Sequence, residues 1–387
     1  MKKPLGLYVH IPFCVQKCRY CDFLSFSSDR ETQERYMDAV RREIDMIPEK
    51  YADTDFSGYC VQTVYFGGGT PSILSPDLLG SILCKLNTSF FISENAEITM
   101  EANPGTLSKE ILPAYREFGI NRLSIGLQSA DDEELKLLGR IHTWRDFTDN
   151  YEAAKRAGFQ NINVDIMTAL PGQAEATLDK TIEKVLLLEP AHISAYSLII
   201  EEGTLFHEWF KEDGKGEPVQ SLLLPDEEQE RRMYWHTGDM LREAGYVHYE
   251  ISNFAKPGFE SRHNLSYWTG IDYLGLGLGA SSLLSHVRYK NPAELDIYIR
   301  EPGRQGERLV LEETAQMEEF MFLGLRMQRG VGKREFFSLF HVPVTQVYGK
   351  EIIKLKREGL LYEEMGRIAL TKRGIDYGNY VFSAFLK

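Results

Sequence analysis

The chain has 387 residues, 43% of them hydrophobic and 26% charged, which is ordinary for a globular protein with a sizeable core. Its 44 basic and 57 acidic residues give a net charge of −13, which argues against a broad nucleic-acid-binding face but allows a local basic pocket. No apolar run reaches the roughly 20 residues needed to span a bilayer, and the N-terminus lacks the features of a signal peptide. These features predict a cytoplasmic protein that does not span a membrane and does not bind nucleic acid.

The first 200 residues alternate short apolar runs with amphipathic stretches, the pattern of parallel βαβ units. We therefore expect an α/β fold in which residues 1–200 form a partial (β/α)6 parallel barrel. A helix is predicted around 32–47 from its one-sided apolar spacing. The predicted strands are Leu5–Ile11, Val61–Phe66, Glu97–Glu101, Arg122–Gly126, Asn161–Ile166 and Ile193–Leu198. Polar residues at the ends of these strands predict ligand binding at the carboxyl edge of the sheet.

Two further regions follow the predicted barrel. Glycine and proline residues between Glu201 and Pro225 interrupt the pattern, so residues 201–310 are expected to be a linker and a mixed α+β region. Residues 311–387 are expected to form a C-terminal helical domain that resembles a winged helix and serves packing or docking. Its helices and hairpin are predicted at 314–328, 333–340, 345–358, 360–363 and 367–371.

Three of the five cysteines lie within eight residues, in the pattern Cys14-x3-Cys18-x2-Cys21. Thiolates are the usual ligands of iron–sulfur clusters, and three of them on a four-iron cluster leave one iron open. A zinc site with His10 as fourth ligand is an alternative, although structural zinc sites commonly pair their cysteines twice. Disulfide chemistry at a single Cys-x-x-Cys pair would leave Cys14 unexplained. The remaining cysteines are predicted to be buried packing residues: Cys60 and Cys84.

The motif with Tyr20 before its last cysteine resembles the signature of radical S-adenosylmethionine (SAM) enzymes. The resemblance implies that SAM chelates the open iron of a [4Fe–4S] cluster, whose electron cleaves the sulfonium to give a 5′-deoxyadenosyl radical. Gly67–Gly69, after the second predicted strand, resembles the glycine-rich motif of that family. Glycines there let backbone groups approach the amine of SAM closely.

Four segments together resemble the coproporphyrinogen III dehydrogenase group, which contains the oxidase HemN and the heme chaperone HemW. They are 8–14, 66–71, 101–104 and 124–129. The resemblance assigns eight positions to SAM: Tyr8, Gly68, Gly69, Thr70, Glu101, Gln128, Arg140 and Asp165. Singly, each has an ordinary structural explanation, such as an ion pair for Arg140 or a helix-start anion for Glu101.

Two departures favour the HemW branch of this group. The oxidase has a further cysteine two residues after the third, where this chain has Asp22 and Phe23, and it has a longer segment before the cluster motif. His263-Asn264-x-x-Tyr267-Trp268 also resembles the HNxxYW motif of HemW proteins. Since imidazole is a common heme ligand, His263 is a candidate heme-binding residue, with His248 and His286 as weaker alternatives.

The leading hypothesis is therefore a radical SAM protein that binds heme and delivers it to an acceptor protein. The resemblance implies heme or another porphyrin, a heme-acceptor protein and an electron donor such as a flavodoxin or ferredoxin as partners. Three alternatives remain open: oxidative decarboxylation of coproporphyrinogen propionates, another radical SAM reaction, and regulation through the C-terminal unit.

Overall fold

A computed structural model of the chain describes residues 2–210 and 223–387. Six parallel strands form the centre of its large sheet, and all six were predicted at these places. Each begins or ends a few residues from its predicted bounds. They are β1 (Lys3–Ile11), β2 (Tyr59–Gly68), β3 (Ile92–Ala102), β4 (Arg122–Gln128), β5 (Asn161–Thr168) and β6 (His192–Ser197).

Further strands extend this sheet at both edges instead of forming a separate layer. Beyond β6 lie β8 (Asn253–Ala255) and β7 (Val247–Glu250), both antiparallel. Beside β1 lies the parallel β9 (Tyr273–Leu276). The antiparallel β10 (Ser281–Leu284), β11 (Val287–Lys290) and β12 (Glu307–Val310) follow it in the sheet. The order β12-β11-β10-β9-β1-β2-β3-β4-β5-β6-β8-β7 does not close on itself, so the predicted partial barrel is confirmed.

Helices connect the parallel strands and pack their apolar faces on the sheet. In α1, for example, Tyr36, Val40, Ile44 and Ile47 are buried on the predicted face. The helices of the barrel are α1 (Arg30–Lys50), α2 (Pro76–Ser89), α3 (Leu112–Glu117), α4 (Asp132–Leu138), α5 (Trp144–Arg156) and α6 (Glu175–Leu186). Those of the next region are α7 (Leu205–Phe210), α8 (Glu227–Glu243), α9 (Arg262–Trp268) and α10 (Leu295–Arg300).

The C-terminal region has its own hydrophobic core, whose fully buried members include Met321, Phe336, Tyr348 and Phe385. The three expected helices and the hairpin occur in the predicted winged-helix-like order, and a two-residue strand that was not predicted lies between the first two helices. They are α11 (Glu313–Gly324), β13 (Val331–Gly332), α12 (Lys333–Phe340), α13 (Val344–Arg357), β14 (Leu361–Glu364) and β15 (Arg367–Leu370). Two short helices, α14 (Lys372–Asp376) and α15 (Gly378–Ser383), follow. We propose a domain boundary near residue 311.

Three further expectations from the sequence can be compared with the structure. Cys84 is exposed and Cys60 half-buried, so the prediction that both are buried was wrong. Of the predicted seam at 201–225, residues 211–222 lie outside the described residues, and the part before them includes the short helix α7. No helix in the described ranges combines the length and apolar character needed to cross a membrane.

Candidate functional site

The cysteine motif lies in the loop that leaves the carboxyl end of β1. Backbone hydrogen bonds join Cys14 N to Phe26 O (3.0 Å) and Phe26 N to Pro12 O (2.8 Å), and these two bonds close the loop. The guanidinium of Arg19 donates to the carbonyls of Lys136 and Leu137 at the end of α4, both at 3.1 Å. The loop is therefore anchored at its base and at its centre.

All three motif cysteines line one cavity of about 330 Å³ that extends into the partial barrel. The thiols of Cys14, Cys18 and Cys21 are free and half-buried. Burial raises the pKa of the Cys21 thiol. Within residues 2–210 and 223–387, no group of three or more His, Cys, Asp or Glu side chains is arranged to hold a single metal ion. Three convergent thiols fit a cluster in which each sulfur binds a different iron.

Arg140 connects the cysteine loop to the neighbouring strand ends. Its guanidinium donates to Cys18 Sγ (3.5 Å), to Asn103 Oδ1 (2.7 Å) and to the carbonyl of Gly126 (2.6 Å). Its Nε is buried and has no hydrogen-bond partner. A buried cation with an unused donor at the cavity wall is suited to an anionic ligand group such as a carboxylate.

The glycine-rich turn packs directly on the end of β1 and the start of the cysteine loop. Gly69 N donates to Ile11 O (2.8 Å), and Thr70 N donates to Phe13 O (2.7 Å). A Cβ added at Gly69 would lie 2.6 Å from Phe13 O. Gly68 has a φ of +113°, in the region that favours glycine. The absence of side chains is therefore what permits this close packing.

Glu101 receives two hydrogen bonds at the cavity wall. Tyr65 donates its hydroxyl hydrogen at 2.7 Å, and the backbone N of Gly68 donates at 3.0 Å. Burial, and then the charge of Asp165, raise the pKa of Glu101 to about 7. A carboxyl group with this pKa exists in both protonation states near neutral pH.

This pKa predicts a pH-dependent stability in the cluster-free protein. Because the folded-state pKa of Glu101 is raised from 4.5 to about 7, ionisation costs the folded state free energy as pH rises through that interval. At about 1.4 kcal/mol per pH unit, the loss in the free energy of unfolding amounts to about 3 kcal/mol above pH 7. We expect Glu101→Gln to lose less stability than the wild type between pH 5 and 8, measured by urea unfolding. If the wild type and Glu101→Gln lose equal free energy of unfolding over this pH range, the raised pKa of Glu101 is contradicted.

Gln128, the last residue of β4, and Asp165, within β5, line another part of the cavity wall. The register between these strands shifts at Gly126, and Gln128 adopts a φ of +75°, which is unusual for a residue other than glycine. Gln128 Oε1 accepts a hydrogen bond from the Tyr196 hydroxyl at 3.1 Å. Burial raises the pKa of Asp165, whose Oδ1 accepts from Asn163 Nδ2 at 2.7 Å. The bulge thus turns the Gln128 amide toward the cavity.

Two positions that the resemblance assigned to SAM lie beside the cavity and do not line it. Tyr8 is inside the barrel, and its hydroxyl pairs with His10 Nδ1 at 2.9 Å. Thr70 is buried behind the glycine-rich turn. Its hydroxyl lies 3.5 Å from Cys14 Sγ and accepts from Asn103 Nδ2 at 2.7 Å. Thr70 therefore contacts Cys14 and Asn103, which line the cavity, and the ring of Tyr8 stacks on that of Tyr65, which also lines it.

His263 is on α9, which closes the end of the barrel opposite the cysteines. Only 1% of its surface is exposed. Its Nδ1 pairs with the Thr63 hydroxyl at 2.8 Å and its Nε2 with the Tyr267 hydroxyl at 2.9 Å, while its ring stacks on Tyr65. Burial, and then the charge of Arg122, lower the pKa of His263 to about 3. In this conformation both ring nitrogens are occupied, and heme ligation by His263 would require breaking one of these bonds.

Several cavity residues were not among the predicted site residues, above all Arg122. It is 2% exposed and lines the cavity from the first position of β4, at the end of the strand away from the cysteine loop. Its Nε has no hydrogen-bond partner, and no described carboxylate forms an ion pair with its guanidinium. Arg122 stands at the amino end of β4. The sequence-based prediction considered polar residues at the carboxyl ends of the strands, which lie at the opposite edge of the sheet. A charged residue at an inward position of a buried strand was the signal available in the sequence.

Comparison with known proteins gives relatives over the whole chain. The radical SAM superfamily profile matches residues 8–185, and the HemN C-terminal domain profile matches residues 311–377. The protein named heme chaperone HemW in Lactococcus lactis is 38% identical over 100% of this chain and 98% of its own length. The Bacillus subtilis protein of the same name is 36% identical over 98% of each chain.

This chain belongs to the HemN/HemW family of radical SAM proteins. The family implies a [4Fe–4S] cluster and SAM as cofactors. The donor set fits both groups, since three free thiols converge on a cavity that also holds an unused arginine Nε and the glycine-rich turn. The solved structure of the Escherichia coli coproporphyrinogen III oxidase HemN is similar, with a TM-score of 0.83. The superposition covers 99% of this chain and 90% of the HemN chain. At 23% identity, that likeness shows a shared fold.

Proposed function

We propose that this HemN/HemW-family chain is a HemW-like radical SAM protein that binds heme and delivers it to acceptor proteins. The observation that carries the proposal is the full-length similarity, at 38% and 36% identity, to two proteins named heme chaperone HemW. The cysteine loop agrees with this branch, because Asp22 and Phe23 follow Cys21 where the oxidase would have a further cysteine.

We assign the cluster to Cys14, Cys18 and Cys21, and SAM to the same cavity. When bound, the cluster supplies an electron and an open iron for the amino and carboxylate groups of SAM. The chain's residues orient that ligand. Arg140 has a donor for the carboxylate, while Glu101 and Asp165 accept from the amine or the ribose hydroxyls. Gly68 and Gly69 allow close approach of the backbone, and Gln128 offers an amide to a hydroxyl. Tyr8 and Thr70 position this wall from behind.

An electron donor such as a flavodoxin or ferredoxin is the partner that the cluster requires. Apolar side chains are exposed beside the cavity mouth, among them Val15 and Phe23, each 61% exposed, and Ile141, 60% exposed. Lys17 and Arg19 lie on the same loop. An apolar patch with adjacent basic groups is suited to an acidic donor protein.

A second candidate function is oxidation of coproporphyrinogen propionates, and Arg122 is the observation that favours it. A buried guanidinium without an ion pair, lining the cluster cavity, would bind a substrate carboxylate. This candidate requires the ligand to extend past SAM toward α9.

Anaerobically reconstituted protein distinguishes the two candidates. We expect a stoichiometric Soret shift on titration with heme, transfer of that heme to an apo-hemoprotein, and no protoporphyrinogen from coproporphyrinogen III with SAM and a reductant. Formation of protoporphyrinogen would favour the oxidase. Failure to bind heme would overturn the chaperone proposal.

A further inference from the structure

A second cavity, of about 520 Å³, lies between the barrel and the C-terminal unit. It shares no lining residue with the cluster cavity. Its walls come from Trp268 at the end of α9, from Leu283 on β10, and from Phe320, Leu323 and Phe340 of the C-terminal unit. The volume is within the range of about 300–1,000 Å³ that is typical of small-molecule pockets. Aromatic and aliphatic walls of this kind suit a flat apolar ring system.

Three side chains at this cavity are suited to an iron porphyrin. His286 is exposed in the tight turn between β10 and β11, with a φ of +66°, and lines the cavity. Met327 adds a buried thioether, which is also a known type of heme ligand. Arg329 is exposed at the rim and forms no ion pair with a described carboxylate.

The other charges at the cavity are already neutralised. Glu319 pairs with Arg288 at 2.9 Å, and Glu335 pairs with Arg367 at 2.8 Å. The charge left without an ion pair among the described lining residues is therefore the positive charge of Arg329. A cationic rim around an apolar interior matches a ligand with an apolar ring and peripheral carboxylates.

We propose that this cavity binds heme, with His286 as an axial ligand, Trp268 against the porphyrin face and Arg329 paired with a propionate. The inference rests on the proposed heme-binding function and specifies the cavity in which heme binds. In this proposal, the residues of the HNxxYW segment have two different roles. His263 and Tyr267 hold α9 in the end of the barrel, and Trp268 forms part of the heme cavity.

The test is heme titration of the full chain, followed by the Soret band, with His286→Asn and a matched control, His341→Asn. Both histidines are exposed, and both have positive φ values, +66° and +56°, which asparagine tolerates. His341 does not line the cavity. For His286→Asn we expect a shifted Soret maximum and heme binding weakened at least about tenfold, with no change for His341→Asn.

A second variant, Leu339→Trp, narrows the cavity from a side chain that is 62% exposed and so leaves the core intact. We expect it to weaken heme binding as well. If wild-type protein binds heme and His286→Asn matches it in Soret position and affinity, this cavity assignment is overturned while the proposed function stands. If the wild type does not bind heme, the proposed function itself has failed.

Discussion

Replacing Cys14, Cys18 and Cys21 together with serine is expected to abolish the iron–sulfur cluster. Serine keeps the size of the side chain but removes the thiolate that binds iron. Anaerobic reconstitution should give the wild type about four iron atoms per chain and the triple variant close to none, as measured by iron and acid-labile sulfide analysis. The sulfur-to-iron charge-transfer absorption of the cluster in the visible spectrum should also be absent from the triple variant.

The control for this experiment is the double variant Cys60→Ser, Cys84→Ser, which removes the remaining cysteines. Cys84 is exposed and Cys60 half-buried, and neither lines the cluster cavity. The double variant should retain wild-type iron content. Iron that persists in the triple variant, or that is lost in the double variant, would show that the cluster is held elsewhere.

Gly69→Ala is expected to separate the glycine-rich turn from the cysteine loop. The new Cβ would lie 2.6 Å from Phe13 O and 3.0 Å from Ile11 O, both backbone atoms that cannot rotate away. Thr70 N donates to that same Phe13 oxygen, so the turn must move. Overpacking of this kind costs about 1–3 kcal/mol in the free energy of unfolding. We also expect SAM affinity to fall at least about tenfold, measured by equilibrium dialysis on the reconstituted protein.

Gly58→Ala is the matched control, because its added Cβ would meet nothing within 4 Å and its φ is not in the left-handed region. A surface change of this kind is expected to shift the free energy of unfolding by less than about 0.5 kcal/mol. Wild-type SAM affinity in Gly69→Ala would contradict the proposed position of SAM against this turn.

The parallel strands could be predicted from sequence because each depends on a local pattern. Runs such as Val61–Phe66 are short, rich in β-branched and aromatic residues, and separated by amphipathic helices. The strands that extend the sheet were not predicted individually. β7, β9, β10, β11 and β12 have four residues each, and β9 pairs with β1, which is more than 260 positions earlier. Pairing at that separation leaves little local signal.

The shared position of the three motif cysteines and several strand-end residues at one cavity could also be predicted, since Cys14–Cys21 and those residues are recognisable in the linear sequence. The position of His263 could not. Its burial depends on Thr63 and Tyr65 of β2, about 200 residues away. A histidine beside tyrosine and tryptophan suggests a ligand site in the sequence, and the structure adds that the His263 ring is packed inside the barrel against Thr63 and Tyr65. The second cavity likewise depends on how β10 and the C-terminal unit pack together, which no single segment encodes.

We propose a four-iron cluster on three cysteines, with an open iron that SAM occupies beside Arg140 and Glu101. The most direct test is electron paramagnetic resonance of the reconstituted, dithionite-reduced protein before and after addition of SAM. Direct chelation predicts a reduced four-iron signal whose g values change when SAM is added, and that change should be lost or weakened in Gly69→Ala. A signal that SAM leaves unaltered in wild-type protein would contradict the account.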